Sequence, residues 1–314
     1  MKIIFICTRS LTFNTFLKSQ ANFLKKKGYD VKVACSDTEN LDFINKNNYK
    51  INFPTEVKNF FSIKRYFEVF FQIRSLIKKN KSAIFYTHTP VASHFLRLFS
   101  LFKDIKIIYF VHGFRFTSKT GYIKSAFFKI IEKLFSFKTS IYITINNEDY
   151  LYSKKNFNKN SLIYKINGVG LKFNKKYKKN NNTDKKIKKI LVIAAYKKEK
   201  GYLEILKVAQ MLKKFRIYIE CYGFGNFKKF HQIKIKNNIS NISFKKFDKN
   251  LEHKIKNYSL LLHLSKREGL PVSIMQSLYN GLPVICYNIR GNNDLIKNGH
   301  NGFFVNSYHD VINR

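Results

Sequence analysis

Residues 265–285 form the stretch that most constrains how this chain can fold. It follows the apolar residues 260–264, which predict a buried strand. Pro271 stands where the first residue of a helix is expected, and Gly281 where its C-terminal cap is expected. The open N–H groups of that helix would face the carboxyl end of the strand, beside Glu268, which is typical of an anion site. On spacing alone, an ordinary strand, turn and helix of an α/β core explains these residues equally well.

The predicted helix carries polar and apolar residues at helical spacing. Val272, Met275 and Leu278 are expected to form its apolar face. A carboxylate, a helix N-terminus and an inward polar stripe together suit a polyhydroxyl ligand that carries phosphate. The residues of that polar stripe recur three or four positions apart: Ser273, Gln276, Ser277 and Asn280.

Short apolar runs elsewhere predict the other strands of doubly wound parallel sheets. The opening strand, helix and strand lack the Gly-x-Gly-x-x-Gly turn, so a dinucleotide cofactor is not expected. His88 and His112 stand at the carboxyl ends of two predicted strands, where ligands of parallel sheets bind. The expected strands cover residues 3–7, 31–35, 83–88, 106–112, 141–145, 189–194, 217–225, 242–247 and 259–265.

The stretch at residues 265–285 resembles the nucleotide-sugar motif of the retaining GT-B glycosyltransferases. Within that family it is similar to the Glu-x7-Glu group, the family 4-like enzymes of capsule and O-antigen type. Glu268 matches the first Glu of the motif, and Gln276 stands where the second Glu is expected. Gly-Leu-Pro-Val at residues 281–284 and Asn-Gly-His-Asn-Gly-Phe-Phe-Val at residues 298–305 continue the pattern. Several blocks in the family's order make the resemblance specific.

Further blocks extend the resemblance over nearly the whole chain. Residues 86–98 and 109–116 resemble first-domain blocks of capsule and O-antigen glycosyltransferases. In those enzymes a His before Gly-Phe reaches the donor sugar, and His112 matches it, while His88 lies in a recurrent His-Thr-Pro block. Lys200 matches the Lys-Gly block that grips the donor diphosphate.

One residue of the family pattern is missing near that block. An Arg is usual a few residues earlier, but Ala195 and Tyr196 occupy its place in this chain. Lys197 or Lys198 is a candidate to replace the charge, although Lys is a point charge without the bidentate fork of Arg. Arg9 and Ser10, in the first loop, are weaker candidates for contact with donor or acceptor.

The resemblance implies an α/β fold of GT-B architecture, in which two Rossmann-like domains face a cleft. The acceptor domain is expected at residues 1–170, a polar linker at 171–188, and the donor domain at 189–314. Family members continue with further helices, so the donor domain is expected to be truncated. The expected reaction moves a sugar from a nucleotide-sugar to a lipid-linked saccharide. A UDP-sugar is the first choice of donor.

The resemblance also implies a role for each candidate residue. Glu268 would bind sugar hydroxyls, His112 would orient the sugar, and Gln276 would bind the ribose. His88 and Lys197 stay weak candidates, with Arg9 and Ser10. No Asp-x-Asp occurs, so neither a metal nor another cofactor is expected. The expected donor-binding residues are Lys200, Gly269, Leu270, Pro271, Val272, Ser273 and Gln276.

The formal net charge of +40 indicates a polyanionic neighbourhood, either nucleic acid or the anionic cytoplasmic leaflet. Abundant Lys throughout the chain allows compositional drift as an equal explanation. No nucleic-acid reader motif occurs, so nucleic acid is not an expected partner. The apolar run after Met1 is too short for a signal peptide, and no run reaches a membrane span. We therefore expect a cytoplasmic protein, peripheral on the inner face of the membrane, with four reduced cysteines.

Residues 59–79 predict the amphipathic helix that would contact this membrane. Phe61, Tyr66 and Ile73 widen its apolar side beyond what a core face requires, although plain packing against the sheet explains the helix at least as well. The expected core stripe is Phe60, Ile63, Phe67, Phe70 and Ile77, and the expected membrane-facing cations are Lys64, Arg65, Arg74, Lys78 and Lys79.

Two alternatives to an active enzyme remain open at this point. Gln276 and Ala195 depart from the family pattern, which would suit a catalytically inactive glycosyltransferase-like subunit. Charge alone would suit a basic nucleic-acid-binding protein, but the basic residues are spread along the chain instead of clustered.

Overall fold

The protein, studied as a computed structural model, divides into two compact units, Met1–Gly170 and Leu171–Arg314. The structure describes residues 1–43, 48–54, 62–117, 121–170, 189–248 and 250–313. The expected linker at 171–188 lies outside the described residues. Each unit contains one parallel sheet with helices, so the prediction of two Rossmann-like α/β domains is confirmed.

The first unit is built on a seven-stranded parallel sheet, in the order β3-β2-β1-β4-β5-β6-β7. Strand β5 stops one residue before His112, which therefore lies in the loop at the sheet edge and not in the strand. The strands are β1 Lys2–Ile6, β2 Asp30–Cys35, β3 Tyr49–Lys50, β4 Ile84–His88, β5 Lys106–Val111, β6 Ile141–Thr144 and β7 Leu162–Lys165.

Five longer helices accompany this sheet in the described residues. The first is preceded by one α-turn, Ser10–Thr12, and one π-turn, Phe13–Leu17, which places Phe13 and Leu17 together in the core. A short 3-10 turn follows β2 at Thr38–Asn40. The helices are α1 Lys18–Lys26, α2 Ile63–Lys79, α3 Pro90–Phe99, α4 Tyr122–Ser136 and α5 Asn147–Asn156.

The stripe predicted to face the core on α2 is partly wrong. Ile63 and Phe67 are exposed, whereas Ile73, expected outside the stripe, is fully buried. Apolar residues occur on nearly every side of this helix, so periodicity alone could not identify the side that meets the sheet. Residues 59–61 lie outside the described part. The buried residues are aliphatic: Val69, Ile73, Leu76 and Ile77.

The second unit is built on a six-stranded parallel sheet, in the order β10-β9-β8-β11-β12-β13. Its strands are β8 Lys189–Ile193, β9 Tyr218–Gly223, β10 Ile242–Lys246, β11 Leu260–His263, β12 Val284–Tyr287 and β13 Gly302–Val305. Its longer helices are α6 Tyr202–Leu212, α7 Lys228–Lys236 and α8 Val272–Tyr279, and its shorter helical turns are Lys198–Lys200, Lys213–Phe215, Leu251–Lys254, Ile255–Asn257 and His309–Asn313.

The strand orders locate the functional edge of each sheet. The direction of winding reverses between β1 and β4 in the first unit, and between β8 and β11 in the second. At such a reversal the loops leave the sheet in opposite directions and open a crevice at the carboxyl ends of the strands, where ligands bind. His88 ends β4 and His263 ends β11.

Two further predictions concern the redox state of the cysteines and the lack of a membrane-spanning helix. Cys7, Cys35, Cys221 and Cys286 are free and buried, as predicted for reduced core residues. Burial raises the pKa of the Cys286 thiol to about 12, so it stays protonated and unreactive at neutral pH. No helix in the described part of the chain is long and apolar enough to cross a membrane.

Candidate active site

A close ion pair joins two of the candidate residues in the second unit. Lys200 follows β8, Glu268 follows β11, and the Lys200 Nζ lies 2.6 Å from the Glu268 Oε1. The side chains are 23% and 12% exposed, so the pair is largely shielded from water yet open on one side. The winding of the sheet brings these residues together although they are 68 positions apart.

His263 is a third member of this cluster, and the sequence reasoning missed it. Its Nε2 lies 3.2 Å from the Glu268 Oε1, within ion-pair distance, although the contact is poorly directed for a hydrogen bond. On the other side of the ring, Nδ1 lies 3.5 Å from the Ser273 Oγ at the start of α8. The buried imidazole therefore connects the end of the strand, the carboxylate and the helix start.

The surroundings of Glu268 decide its charge. Burial alone would raise the pKa of this carboxyl, but the contact with His263 and the positive charge of Lys200 outweigh burial and lower the pKa to about 2. Glu268 is therefore ionised at neutral pH. An ionised carboxylate accepts hydrogen bonds and donates none, which suits the recognition of hydroxyl groups.

Two glycines hold the loop that carries Glu268. Gly201 has φ +77°, and a Cβ there would lie 2.1 Å from the Leu264 carbonyl oxygen. Gly291 has φ +80°, and a Cβ there would lie 2.3 Å from the Gly269 carbonyl oxygen. Any larger residue at these positions would push the loop away, so both glycines are required for the close approach. The neighbouring Arg290 Nε donates to the Glu268 carbonyl oxygen at 2.9 Å.

Helix α8 begins one residue later than predicted. Pro271 is the N-cap, with an extended backbone, and Val272 is the first helical residue. Since Pro carries no N–H, the open donors at this end belong to the residues after it. Gly281 has φ +72° directly after the C-cap, as predicted for a helix end.

The buried face of α8 also differs from the prediction. Ser273, Ile274 and Ser277 are the buried residues, whereas Val272, Met275 and Leu278 are only half-buried. The two small serines face inward and allow the helix to lie close to the sheet. Of the other predicted donor-binding residues, Gln276, Gly269 and Leu270 are half-buried.

The two candidate histidines of the first unit contact each other. The His88 Nδ1 lies 3.3 Å from the His112 Nε2, so one ring donates and the other accepts according to the tautomer. His88 is fully buried, and its ring lies parallel to the Phe5 ring at 5.7 Å. Its Nε2 has no hydrogen-bond partner among the described residues. His88 therefore contacts the His112 ring from the buried side of the site.

Burial keeps both rings neutral. It lowers the pKa of His112 to about 4 and lowers the pKa of His88 well below its ordinary value, and His112 lowers the latter further. A neutral imidazole offers one donor and one acceptor, which suits contact with a sugar hydroxyl.

The loop after His112 is fixed from α5. Gly113 has φ +124°, which a residue with a side chain rarely adopts, and the next residue, Phe114, donates its N–H to the Asp149 Oδ2 at 3.3 Å. The Asp149 N–H donates to the Asn146 Oδ1 at 2.8 Å, which caps the helix. Asp149 therefore serves both the start of this helix and the loop after His112.

The weaker candidates separate into structural and exposed residues. Ser10 is buried, and both its N–H and its hydroxyl donate to Asp37, at 2.7 and 2.8 Å, so its polar groups serve the fold. Arg9 and Lys197 are exposed at the carboxyl edges of their sheets. Thr89 has φ +66°, an uncommon value for a residue with a branched side chain, in the loop between His88 and α3.

A sequence signal for His263 existed. It ends a buried strand, as His88 does, and the same reasoning about carboxyl ends applied to β11 would have found it. Arg290 and Gly291 carry no such signal, because their contacts depend on how the loop after β12 folds back.

Two family models match the chain one after the other. Residues 2–146 match the model described as Glycosyl transferase 4-like, and residues 173–313 match the model described as Glycosyl transferases group 1. The chain is a glycosyltransferase of the GT-B fold. The enzyme class and fold predicted from the sequence are thus confirmed.

Several known proteins are similar to this glycosyltransferase. It is 23% identical to the putative glycosyltransferase EpsD of Bacillus subtilis (strain 168), over 97% of the chain and 83% of EpsD. It is 24% identical to WbnH, an O-antigen biosynthesis glycosyltransferase of Escherichia coli, over 80% of the chain and 71% of WbnH. The solved structure of Anabaena HepE (Alr3699) with UDP and glucose matches with a TM-score of 0.70 and 14% identity, over 100% of the chain and 88% of HepE.

Proposed function

We propose that this glycosyltransferase transfers a sugar from a UDP-sugar to a lipid-linked saccharide, with retention of the anomeric configuration. The product would belong to a surface polysaccharide of O-antigen or capsule type. HepE, similar in fold, is solved with UDP and glucose, and WbnH, similar in sequence, is named for O-antigen biosynthesis. The single observation that carries the proposal is the ionised Glu268, held between Lys200 and His263 where the sheet winding reverses.

The departing nucleotide diphosphate needs positive charge and hydrogen-bond donors. Lys200 supplies a cation at the carboxyl end of β8, and the first turn of α8 supplies open N–H groups with the positive end of the helix dipole. Donors that are already positioned stabilise developing charge without reorganisation at the moment of reaction. These groups are proposed to hold the diphosphate as its bond to the sugar breaks.

The sugar and the ribose are assigned to neighbouring side chains. Glu268 accepts hydrogen bonds from sugar hydroxyls, while its ion pair with Lys200 compensates its negative charge near the diphosphate. Gln276, the fifth residue of α8, is assigned to the ribose. In the first unit, His112 is proposed to act on the donor sugar, on the strength of the resemblance at residues 109–116. No metal or cofactor is included in this proposal.

The protein is further proposed to work at the inner face of the cytoplasmic membrane, because a lipid-linked acceptor is held there. Gln276, at the place of the second Glu of the motif, favours one alternative, a catalytically inactive glycosyltransferase-like subunit.

The decisive test offers a panel of nucleotide-sugars to the full chain and measures the shift in thermal unfolding. A ligand at a hundred times its dissociation constant adds about 2.7 kcal/mol to stability. We expect UDP-sugars to stabilise the protein, and UDP to be released once a lipid-linked saccharide is added. Retention is then read from the anomeric proton of the product by NMR. Binding without UDP release on any acceptor would favour the inactive subunit, and no binding at all would overturn the proposal.

A further inference from the structure

Helices α2, α3 and α4 lie side by side in the first unit. Tyr66 on α2 contacts Phe95 on α3, with ring centroids 5.2 Å apart. Arg97 on α3 is bonded to Glu132 on α4, through its Nη1 and a carboxylate oxygen at 2.9 Å. Both residues of this ion pair are buried. These contacts join the three helices into one layer.

Helix α4 carries a continuous row of exposed apolar side chains on that outer surface. They recur three or four positions apart, so they lie on one side of the helix. Their exposure is high, for example 85% at the first residue of the row and 60% at the fourth. We call this row the apolar stripe: Ile123, Phe127, Ile130, Leu134 and Phe137.

The neighbouring helices extend the same surface. Phe67 and Phe71 are exposed on α2, and Phe102, just after α3, is 95% exposed. Single exposed apolar residues need no explanation, but a cluster of large ones usually marks a surface that another body covers.

Cations dominate the charges around the stripe, although Asp104 is exposed two residues after Phe102. The acidic residues within α2, α3 and α4 are only Glu68 and Glu132. Glu68 is bonded to Arg65 at 3.3 Å, and Glu132 turns inward to Arg97 and His94. The outer surface is therefore apolar residues with cations between them. The exposed cations of these helices are Lys64, Arg74, Lys78, Lys79, Lys124, Lys129 and Lys133.

We propose that the apolar stripe and its flanking lysines dock on the surface of an anionic membrane, with the apolar side chains in the headgroup layer. Apolar side chains with lysines beside them are the pattern of a helix that lies in the plane of a membrane interface. The sequence predicted such contact for α2 alone, whereas the structure moves its centre to α4, whose apolar residues face outward. This inference deepens the proposed function, since it names the partner surface that would present a lipid-linked acceptor.

Two other occupants fit the surface less well. A second copy of the chain, packed through the same face, would place lysines of α4 against lysines of α4, and like charges in an interface are repulsive. A nucleic acid would neutralise the lysines, but its phosphates would leave the five apolar side chains of the stripe without an apolar partner. A membrane interface satisfies both kinds of residue.

The test measures co-sedimentation of the full chain with vesicles, which needs no catalytic turnover. One set of vesicles contains phosphatidylglycerol and phosphatidylcholine, and the other phosphatidylcholine alone. We expect tight binding to the anionic set, weakened by added salt, and at least tenfold weaker binding to the neutral set. The double variant Phe127→Ser/Leu134→Ser should bind anionic vesicles at least tenfold more weakly. Lys124→Gln/Lys133→Gln should lose about 25-fold, roughly fivefold for each charge, on anionic vesicles only.

The matched control is Phe215→Ser, which removes an exposed Phe beside two lysines in the second unit. It should bind vesicles as the unaltered chain does. Equal loss in this control, or unchanged binding in the two stripe variants, would overturn the proposal. So would a concentration-dependent dimer that Phe127→Ser/Leu134→Ser abolishes, or tighter binding to duplex DNA than to anionic vesicles at the same salt. Vesicle binding tests the membrane proposal, and donor binding tests the proposed function. The two are measured separately, so one can fail without the other.

Discussion

The imidazole of His263 lies 3.2 Å from the carboxylate of Glu268, so the last residue of a buried strand contacts the charged group that precedes the neighbouring helix. This contact lowers the pKa of Glu268 together with Lys200. His263 is thus a positioning residue for the carboxylate, and several expectations depend on it.

Replacement of His263 by Ala is expected to impair the enzyme through Glu268. Without the imidazole the pKa of Glu268 rises, and the acid limb of the kcat/KM profile moves to higher pH. Turnover should fall about tenfold, or about 1.4 kcal/mol, because the carboxylate is then held less firmly. The measurement is a pH profile of UDP release. His231→Ala, at an exposed position of α7, is the control and should leave the profile unchanged.

Replacement of Glu268 by Gln keeps the shape of the side chain and removes its charge. We expect turnover to fall on the order of a hundredfold, because a preorganised contact to the reacting sugar weakens. Because Lys200 and His263 then lose their anionic partner in a shielded place, stability should also fall, by about 1–3 kcal/mol. Steady-state kinetics and urea unfolding measure the two effects. A variant that turns over at the original rate would remove Glu268 from the mechanism.

Gln276→Glu restores the second Glu of the motif and tests the inactive alternative. A carboxylate accepts hydrogen bonds from ribose more strongly than an amide, but it adds negative charge near the diphosphate. These effects oppose each other, so the UDP dissociation constant should change tenfold or less, about 1.4 kcal/mol. Calorimetric titration of both forms with UDP decides the matter. If only Gln276→Glu binds UDP, the natural chain is a non-catalytic relative.

Acid should destabilise the first unit through His112. Burial lowers its pKa from 6.5 to about 4, so the unfolded chain binds more protons between those values and stability falls as the pH drops through them. This shift corresponds to about 2 kcal/mol lost between pH 7 and pH 5. Urea unfolding at both values should show the loss, and His112→Gln should reduce it. The remaining acid sensitivity is expected from His88, whose pKa is also lowered.

Local signals were sufficient to predict much of this fold. Strands appeared as short apolar runs with turn residues after them, and the start and end of α8 were marked within one residue by Pro271 and Gly281. These signals act over a few positions and depend little on the rest of the chain. Glu268 and Lys200, by contrast, were assigned to one site by the resemblance and not by such local signals.

Contacts between distant segments could not be predicted in this way. Ser10 was a candidate for ligand contact, but it bonds Asp37 across the edge of two strands. Phe67 is exposed because another side of α2 packs against the sheet. A helix with apolar residues on nearly every side does not reveal from its sequence which side packs. Packing, and not periodicity, selects between such faces.

The close approach of Gly201 and Gly291 to the loop of Glu268 has a consequence for protein engineering. Both backbones have positive φ, and a methyl group at either position would overlap a carbonyl oxygen of residues 264 or 269. A library aimed at new donor sugars should therefore leave these glycines unaltered and vary the side chains of α8 that are only half-buried, such as Gln276 and Val272.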